Sequence, residues 1–184
     1  MITYTTSTTE TELSEILQLQ KVNLPKNLTE SEMLSQGFVT VSHSFDDLKK
    51  LNNYEQHLII KDNNKVVGYL LAMTQHSKQD IPVLIPMFEM FDKILYKEKL
   101  ISAYHYIVVG QVCIAKDYRG QGLLNESYAA YKNNFKEKYD FAITEIATNN
   151  TRSINAHKKA GFFEIQRFYD TNHIEWSIVI WDWK

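Results

Sequence analysis

The chain has 184 residues, 44% of them hydrophobic and 23% charged, a balance that fits one globular domain with a sizeable core and excludes a disordered chain. Twenty basic residues against 22 acidic ones leave a net charge of −2, so a general phosphate-backbone binder is excluded and no nucleic acid is expected as partner. The single cysteine, Cys113, excludes an intramolecular disulfide and a cysteine-rich zinc site; with no basic-then-apolar leader and no apolar run long enough to span a bilayer, the sequence predicts a cytoplasmic protein with no membrane partner.

Ile2 to Thr6 reads as a short strand. Thr9 to Val22 reads as a helix, capped by Thr9 or Thr11, with Leu13, Ile16, Leu17 and Leu19 as apolar contacts. Ser31 to Gln36 is a shorter helix closed by Gly37, Phe38 to Val41 is a strand candidate, and Ser44 to Leu51 is a helix with Ser44 or Asp46 as cap. A hairpin follows: a β-rich run from His57 and the return strand Val66 to Met73 flank the turn chemistry of Asp62-Asn-Asn-Lys65. Thr74 to Ala103 is long for a connection and contains Pro82, Pro86 and an amphipathic stretch with Met87, Met90, Phe91, Ile94 and Leu95; it reads as loop plus helix.

Tyr104 to Ile114 is the longest strand candidate. Both of its parities are largely apolar, so it is expected to be buried on both faces, and Gly110 within it marks a bulge or a close backbone approach. Gln121 to Tyr139 is a helix and Phe141 to Ala147 a strand. Asn150 caps a helix that runs to Ala160 and closes at Gly161. Phe163 to Tyr169 and Ile174 to Trp183 form a last antiparallel pair. The strand–helix–strand unit from Tyr104 to Ala147 should bring its two strands parallel. The predicted fold class is therefore α/β (α+β), a mixed, mostly antiparallel central sheet with flanking helices.

The most informative stretch runs from Val112 to Asn125. A buried strand ends, a short polar loop follows, and Gly120 and Gly122 sit where the next helix begins. Glycines there allow a sharp turn and close approach of a ligand to the backbone. The first free N–H groups of the helix then face outward at the positive end of its dipole, a site suited to a pyrophosphate, with Lys116 and Arg119 adding positive charge. The same loop reads equally well as an ordinary tight strand–helix turn. It is neither a Walker loop nor a dinucleotide fingerprint, because no Gly-Lys-Ser/Thr triplet follows and the three-glycine spacing is absent.

Arg119-Gly-Gln-Gly122-Leu-Leu124 resembles the phosphate loop of the GNAT superfamily of acetyl-CoA-dependent N-acetyltransferases, Arg/Gln-x-x-Gly-x-Gly/Ala, with Leu124 in place of the small residue. A second block, Asn150 to Phe162, is similar to the family's Asn-x-x-Ala-x-x-x-Tyr-x-x-x-Gly-Phe helix, with Ser153 at the small position and His157 at the tyrosine. The resemblance covers about residues 108–162. It implies a GNAT-like sheet whose strands splay apart to form a cofactor cleft, acetyl-CoA as acyl donor, no metal, and direct attack without an acyl-enzyme. Val112, Cys113 and Ile114 would pair through their backbone with the pantetheine arm. The pyrophosphate would rest on Gly120, Gln121, Gly122, Leu123, Leu124 and Asn125 beside Arg119. Asn150 would touch the cofactor while capping its helix, and a bulge near Gly110 would free an N–H for the thioester oxygen. Cys113 is then a small core residue rather than a nucleophile.

Two residues are catalytic candidates. His157, at the tyrosine position, is implied as proton donor to the departing thiolate; taken alone, a histidine in the last turn of a helix reads as a helix-end residue. Glu145 shares a strand face with Phe141 and Ile143, where apolar neighbours raise a carboxyl pKa and suit it to act as base, the position at which similar enzymes carry a glutamate base; its bland reading is a solvated or ion-paired residue near a strand end. Met87, Met90, Phe91 and Tyr96 either line the acceptor pocket or pack their helix on the sheet, and Tyr104, His105 and Tyr106 are open to the same two readings. The expected function is acetyl transfer from acetyl-CoA to a primary amine of a small molecule or peptide, by a monomer or homodimer. The alternatives are a non-catalytic acyl-CoA-binding or sensing module and, third, an interaction protein using Trp176, Trp181 and Trp183 at a contact surface.

Overall fold

The computed structural model describes residues 1–184. In chain order it contains β1 (Ile2–Thr6), α1 (Glu10–Val22), α2 (Glu30–Gln36), α3 (Phe45–Tyr54), β2 (Leu58–Asp62), β3 (Lys65–Met73), α4 (Ile85–Phe91), the two-residue strands β4 (Leu95–Tyr96) and β5 (Lys99–Leu100), β6 (Tyr106–Ile114), α5 (Leu123–Phe135), β7 (Phe141–Ala147), α6 (Thr151–Ala160), β8 (Phe163–Tyr169) and β9 (Glu175–Asp182). One seven-stranded sheet has the order β1-β2-β3-β6-β7-β9-β8. Every neighbouring pair is antiparallel except β6–β7, which is parallel as the crossover through α5 requires. No helix is long and apolar enough to cross a membrane.

Four of the six helices start at a side-chain cap, Thr9, Thr29, Ser44 and Asn150, whereas α4 and α5 have none. Thr9 with Glu12, and Ser44 with Asp47, form reciprocal capping boxes, each side chain taking up a free amide of the first turn. Alternation along the central strands feeds two layers. Tyr69, Leu71 and Met73 of β3 and Tyr106 and Val108 of β6 pack under α1, α3 and α4. Leu70 and Ala72 with Ile107 and Val109 pack under α5, against Tyr128, Tyr131 and Phe135. The central strands are therefore buried on both faces, which is why their sequence carries no polar parity.

Three sequence expectations need correction. Phe38 to Val41 is not a strand: its amides turn to the end of α1 instead of a ladder, with Val39 N–H donating to Asn23 O at 3.1 Å. The helix after the glycine loop begins at Leu123, because Gly122 takes φ +82°, and it stops at Phe135 rather than Tyr139. The connection from residue 74 to 105 contains a miniature hairpin, β4–β5, turned by Lys97 and Glu98 at φ +45° and +67°; neither is a turn-signal residue. Of the residues open to two readings, Met87, Phe91 and Tyr106 are core, with Tyr106 stacked on Phe141 at 6.0 Å, and none of them lines a cavity in the parted region of the sheet.

Two irregularities position the site. β6 and β7 are paired only at Tyr106–Phe141, Ile107–Ala142 and Val108–Ile143, after which their facing edges part. Each stays laddered on its outer side, β6 to β3 as far as Ile114 and β7 to β9 as far as Ala147. Across β3–β6, Leu70 opposes Val112 and Ala72 opposes Val109, so β6 carries one extra residue at Gly110–Gln111, the expected bulge. A Cβ on Gly110 would stand 2.2 Å from Met73 Cε, so any larger residue there must displace the Met73 side chain.

Candidate active site

The parted strands open into two cavities that meet. The larger, about 600 Å³, lies between the loop after β6 and the start of α6. Val112, Cys113 and Ile114 form its floor. Arg119, Gly120, Gly122, Leu123, Leu124 and Asn125 form one end, and Asn150 stands on the opposite wall. All of the predicted cofactor residues thus converge except Gln121, whose side chain folds back to donate to Asp117 O at 2.9 Å.

The glycine loop is built to present amides. Gly120 and Gly122 adopt φ +75° and +82°, a region that L-residues occupy only with strain. The amides of residues 120 to 124 make no turn bond; the first taken up is that of Asn125, onto Gly122 O at 3.0 Å. A row of donors therefore stands free at the N-terminus of α5. Arg152 and Lys159 on α6 also line this cleft, placing cations across from the loop. Arg119 is committed elsewhere: Nε donates to Ile114 O (2.8 Å), and Nη2 donates to Asn23 Oδ1 (2.6 Å), so it braces the loop against the end of α1. Cys113 is buried, which pushes its thiol up to about 11 and leaves it inert at neutral pH.

The smaller cavity, about 70 Å³, sits deeper between β6 and β7 and is lined by Phe38, Thr40, Gly110, Gln111, Thr144, Glu145 and Trp176, among others. Glu145 is its one carboxylate. Oε2 is buried without a hydrogen-bond partner. Burial, with a smaller contribution from the charge of Asp170, raises the Glu145 pKa from 4.5 to about 7. Asp170 lies in the turn between β8 and β9, where it accepts from the Asn172 and Ile174 amides and from Trp176 Nε1 (3.1 Å), and so fixes the indole on the cavity wall. At the crotch of the parted strands, the Thr144 hydroxyl donates to Val109 O at 2.8 Å.

Phe38, Val39, Val112, Asn150, Ser153 and His157 border both cavities. Asn150 Oδ1 accepts from Ser153 N–H at 3.3 Å, the expected cap, while Nδ2 donates to Phe38 O at 3.2 Å and ties down the segment after α2. His157 is buried, which lowers its pKa to about 4 and leaves it neutral. Its Nδ1 stands 2.8 Å from Ser153 O, so it carries the proton, and Nε2 then accepts from the Tyr128 hydroxyl at 2.7 Å. Both ring nitrogens are thus engaged within the protein. Sequence reasoning missed Phe38, Thr40, Trp176, Arg152 and Lys159. Only Gly37, which ends α2 at φ +73° and turns the chain toward the cavities, gave any local signal for the first two.

A sequence model of the acetyltransferase (GNAT) family matches residues 17–162. No curated protein matches the sequence. Among solved structures, the NatC complex bound to Gag peptide and CoA is similar at 16% identity and TM-score 0.66, over 100% of this chain and 99% of that one. The ribosomal-protein-S18-alanine N-acetyltransferase from Escherichia coli gives 14% and 0.59 over 98% and 92%. YncA from Salmonella typhimurium with its cofactor acetyl-CoA gives 12% and 0.62 over 98% and 93%. At such identities the likeness is one of fold.

Proposed function

The chain belongs to the acetyltransferase (GNAT) family, and from that premise we propose that it moves the acetyl group of acetyl-CoA directly onto a primary amine. One observation carries this reading: the parting of β6 from β7 sets a row of free amides on one side of a gap and a buried, unpartnered carboxylate on the other. The loop amides and the α5 dipole suit the pyrophosphate, and Arg152 and Lys159 suit the remaining phosphate charge. The exposed inner edge of β6 from Val112 to Ile114 suits an extended amide-bearing arm that pairs as an added strand.

The chemistry needs a neutral amine, donors for the tetrahedral oxyanion, and help for the departing thiolate. Glu145, buried with a pKa near 7, is poised to take the proton of an ammonium before or during attack. The pocket around it, about 70 Å³, admits an amine on a slim stem passing between Phe38 and Trp176. The acceptor is thus a small molecule or peptide end whose amine enters alone. His157 holds neighbouring groups in place rather than giving up its proton, because a ring with pKa about 4 has no proton to offer from Nε2. Calorimetry with acetyl-CoA, followed by thiol release over a panel of peptides and small amines, tests the reading. Binding with amine-dependent release is expected. Binding without release from any amine would leave the acyl-CoA-sensing alternative, and no binding would end both.

A further inference from the structure

We infer that Ser153, through its hydroxyl, stabilises the thiolate that leaves acetyl-CoA; this rests on the acetyl-transfer reading above. Three polar side chains stand where the two cavities meet: Asn150, Ser153 and His157. The thioester must cross that junction if the coenzyme lies in the larger cavity and the amine enters from the smaller.

Of the other two, His157 has no donor left for sulfur and Asn150 is anchored at both ends of its amide. Asn150 has its oxygen on the Ser153 amide and one of its two N–H groups on Phe38 O, so its second N–H is the one competing donor, on an amide already held as the helix cap. His157 is held in one tautomer. Were its proton on Nε2, the bare Nδ1 would face Ser153 O at 2.8 Å, two lone pairs together, and the buried Tyr128 hydroxyl would lose its acceptor. With the proton on Nδ1, every contact is satisfied. Ser153 Oγ then lies 3.3 Å from Nδ1 and accepts the longer branch of the proton that Nδ1 shares with Ser153 O. A serine hydroxyl that accepts keeps its own O–H free. That O–H has no acceptor within the chain. Tyr128 therefore acts as a positioning residue two steps away: its hydroxyl fixes the imidazole, and the imidazole turns the serine proton outward. The step is a hydrogen bond to sulfur as the C–S bond breaks; the proton that ends on the thiol comes from the attacking amine.

The test needs only CoA. The thiolate absorbance of CoA bound to the protein is titrated against pH in the wild type, Ser153→Ala and Ser153→Thr. A donor to the charged form lowers the thiol pKa, so the alanine variant should titrate about one pH unit higher than wild type, and the threonine variant should follow wild type. At a pH where the thiol is protonated, calorimetric affinity for CoA should be alike in all three. With an amine that supports turnover, Ser153→Ala should lose kcat by about tenfold to a hundredfold with the KM for acetyl-CoA unchanged. Identical thiol titrations in wild type and Ser153→Ala, with CoA bound in both, would overturn the inference and leave the acetyl-transfer reading standing. Failure of wild type to bind CoA would remove that reading itself.

Discussion

The two cavities that meet between β6 and β7 are made from different materials. The larger is a backbone site: its defining groups are the amides of residues 120 to 124 and the inner edge of β6, and side chains matter there mainly by being absent, as at Gly120 and Gly122. The smaller is a side-chain site, in which one carboxylate, two aromatic walls and a few hydroxyls set its chemistry. A backbone site tolerates change at most positions but not in its glycines. A side-chain site fails at one atom. Substitutions on the two sides should therefore fail in different ways.

Glu145→Gln should have the largest effect. It keeps the shape of the small cavity and removes its base, so kcat should fall by about a hundredfold to ten-thousandfold with acetyl-CoA affinity unaltered. In the wild type, rate should rise with pH through about 7 as the carboxyl ionises, and that limb should vanish in the variant. The same group gives a stability signature with a definite sign. The fold raises the Glu145 pKa from 4.5 to about 7, so the folded state favours the protonated form. Its contribution is intact below pH 4.5 and is lost as pH rises through 7. Above pH 7 the charged carboxylate is a liability that glutamine lacks. Denaturant unfolding should therefore find the variant more stable than wild type, by up to about 3 kcal/mol near pH 8, and equal to it near pH 4.5.

On the backbone side, Gly122→Ala should weaken acetyl-CoA binding by about tenfold or more while leaving the Glu145-dependent pH limb in place. A Cβ at Gly122 meets nothing within 4 Å, so the cost is conformational: φ +82° is strained for alanine, and relief of the strain turns the amides away from the cleft. Gly161→Ala is the control. Gly161 also has positive φ, +105°, but its Cβ would press 2.7 Å from Trp181 Nε1, away from the cleft. It should destabilise the fold more than Gly122→Ala does and alter acetyl-CoA affinity less, by calorimetry on folded protein.

The same division explains what was legible in the sequence. The backbone site could be read because glycines at a strand–helix junction have few other uses, and because an asparagine cap and a closing Gly161 mark the ends of α6. Apolar runs gave the strands, and β6, apolar on both parities, could be read as buried on both faces. The side-chain site was only partly visible. Glu145 stood out as a carboxylate on an apolar strand face, but Trp176, Phe38 and Thr40 reach the cavity through tertiary geometry, from β9 and from a stretch without regular structure. Apart from the turn at Gly37, nothing in their neighbours' sequence points there. Ser153 read as a small residue and His157 as a donor, because tautomer and hydrogen-bond direction depend on Tyr128, which lies on another helix.

Thr144→Val should have the smallest effect, and it probes the line between the two sites. The Thr144 hydroxyl donates to Val109 O just beyond the last ladder pair, Val108–Ile143, so a side chain closes the fork where the backbone pairing stops. Valine keeps the volume and removes the bond. The loss of one buried hydrogen bond should cost about 1–2 kcal/mol and lower the thermal midpoint by a few degrees. If the hydroxyl only stabilises the fold, kcat and both KM values should stay within about twofold of wild type. If it also sets where β6 and β7 diverge, the wedge shifts toward the Tyr106 end, Gly110 and Gln111 move relative to Glu145, and acceptor KM rises while acetyl-CoA affinity does not. We expect the second pattern. The large cavity is anchored by the glycine loop and the N-terminus of α6, both distant from this bond in the ladder, whereas Thr144 itself lines the small one. An equal rise in both KM values would show that the two cavities do not fail separately.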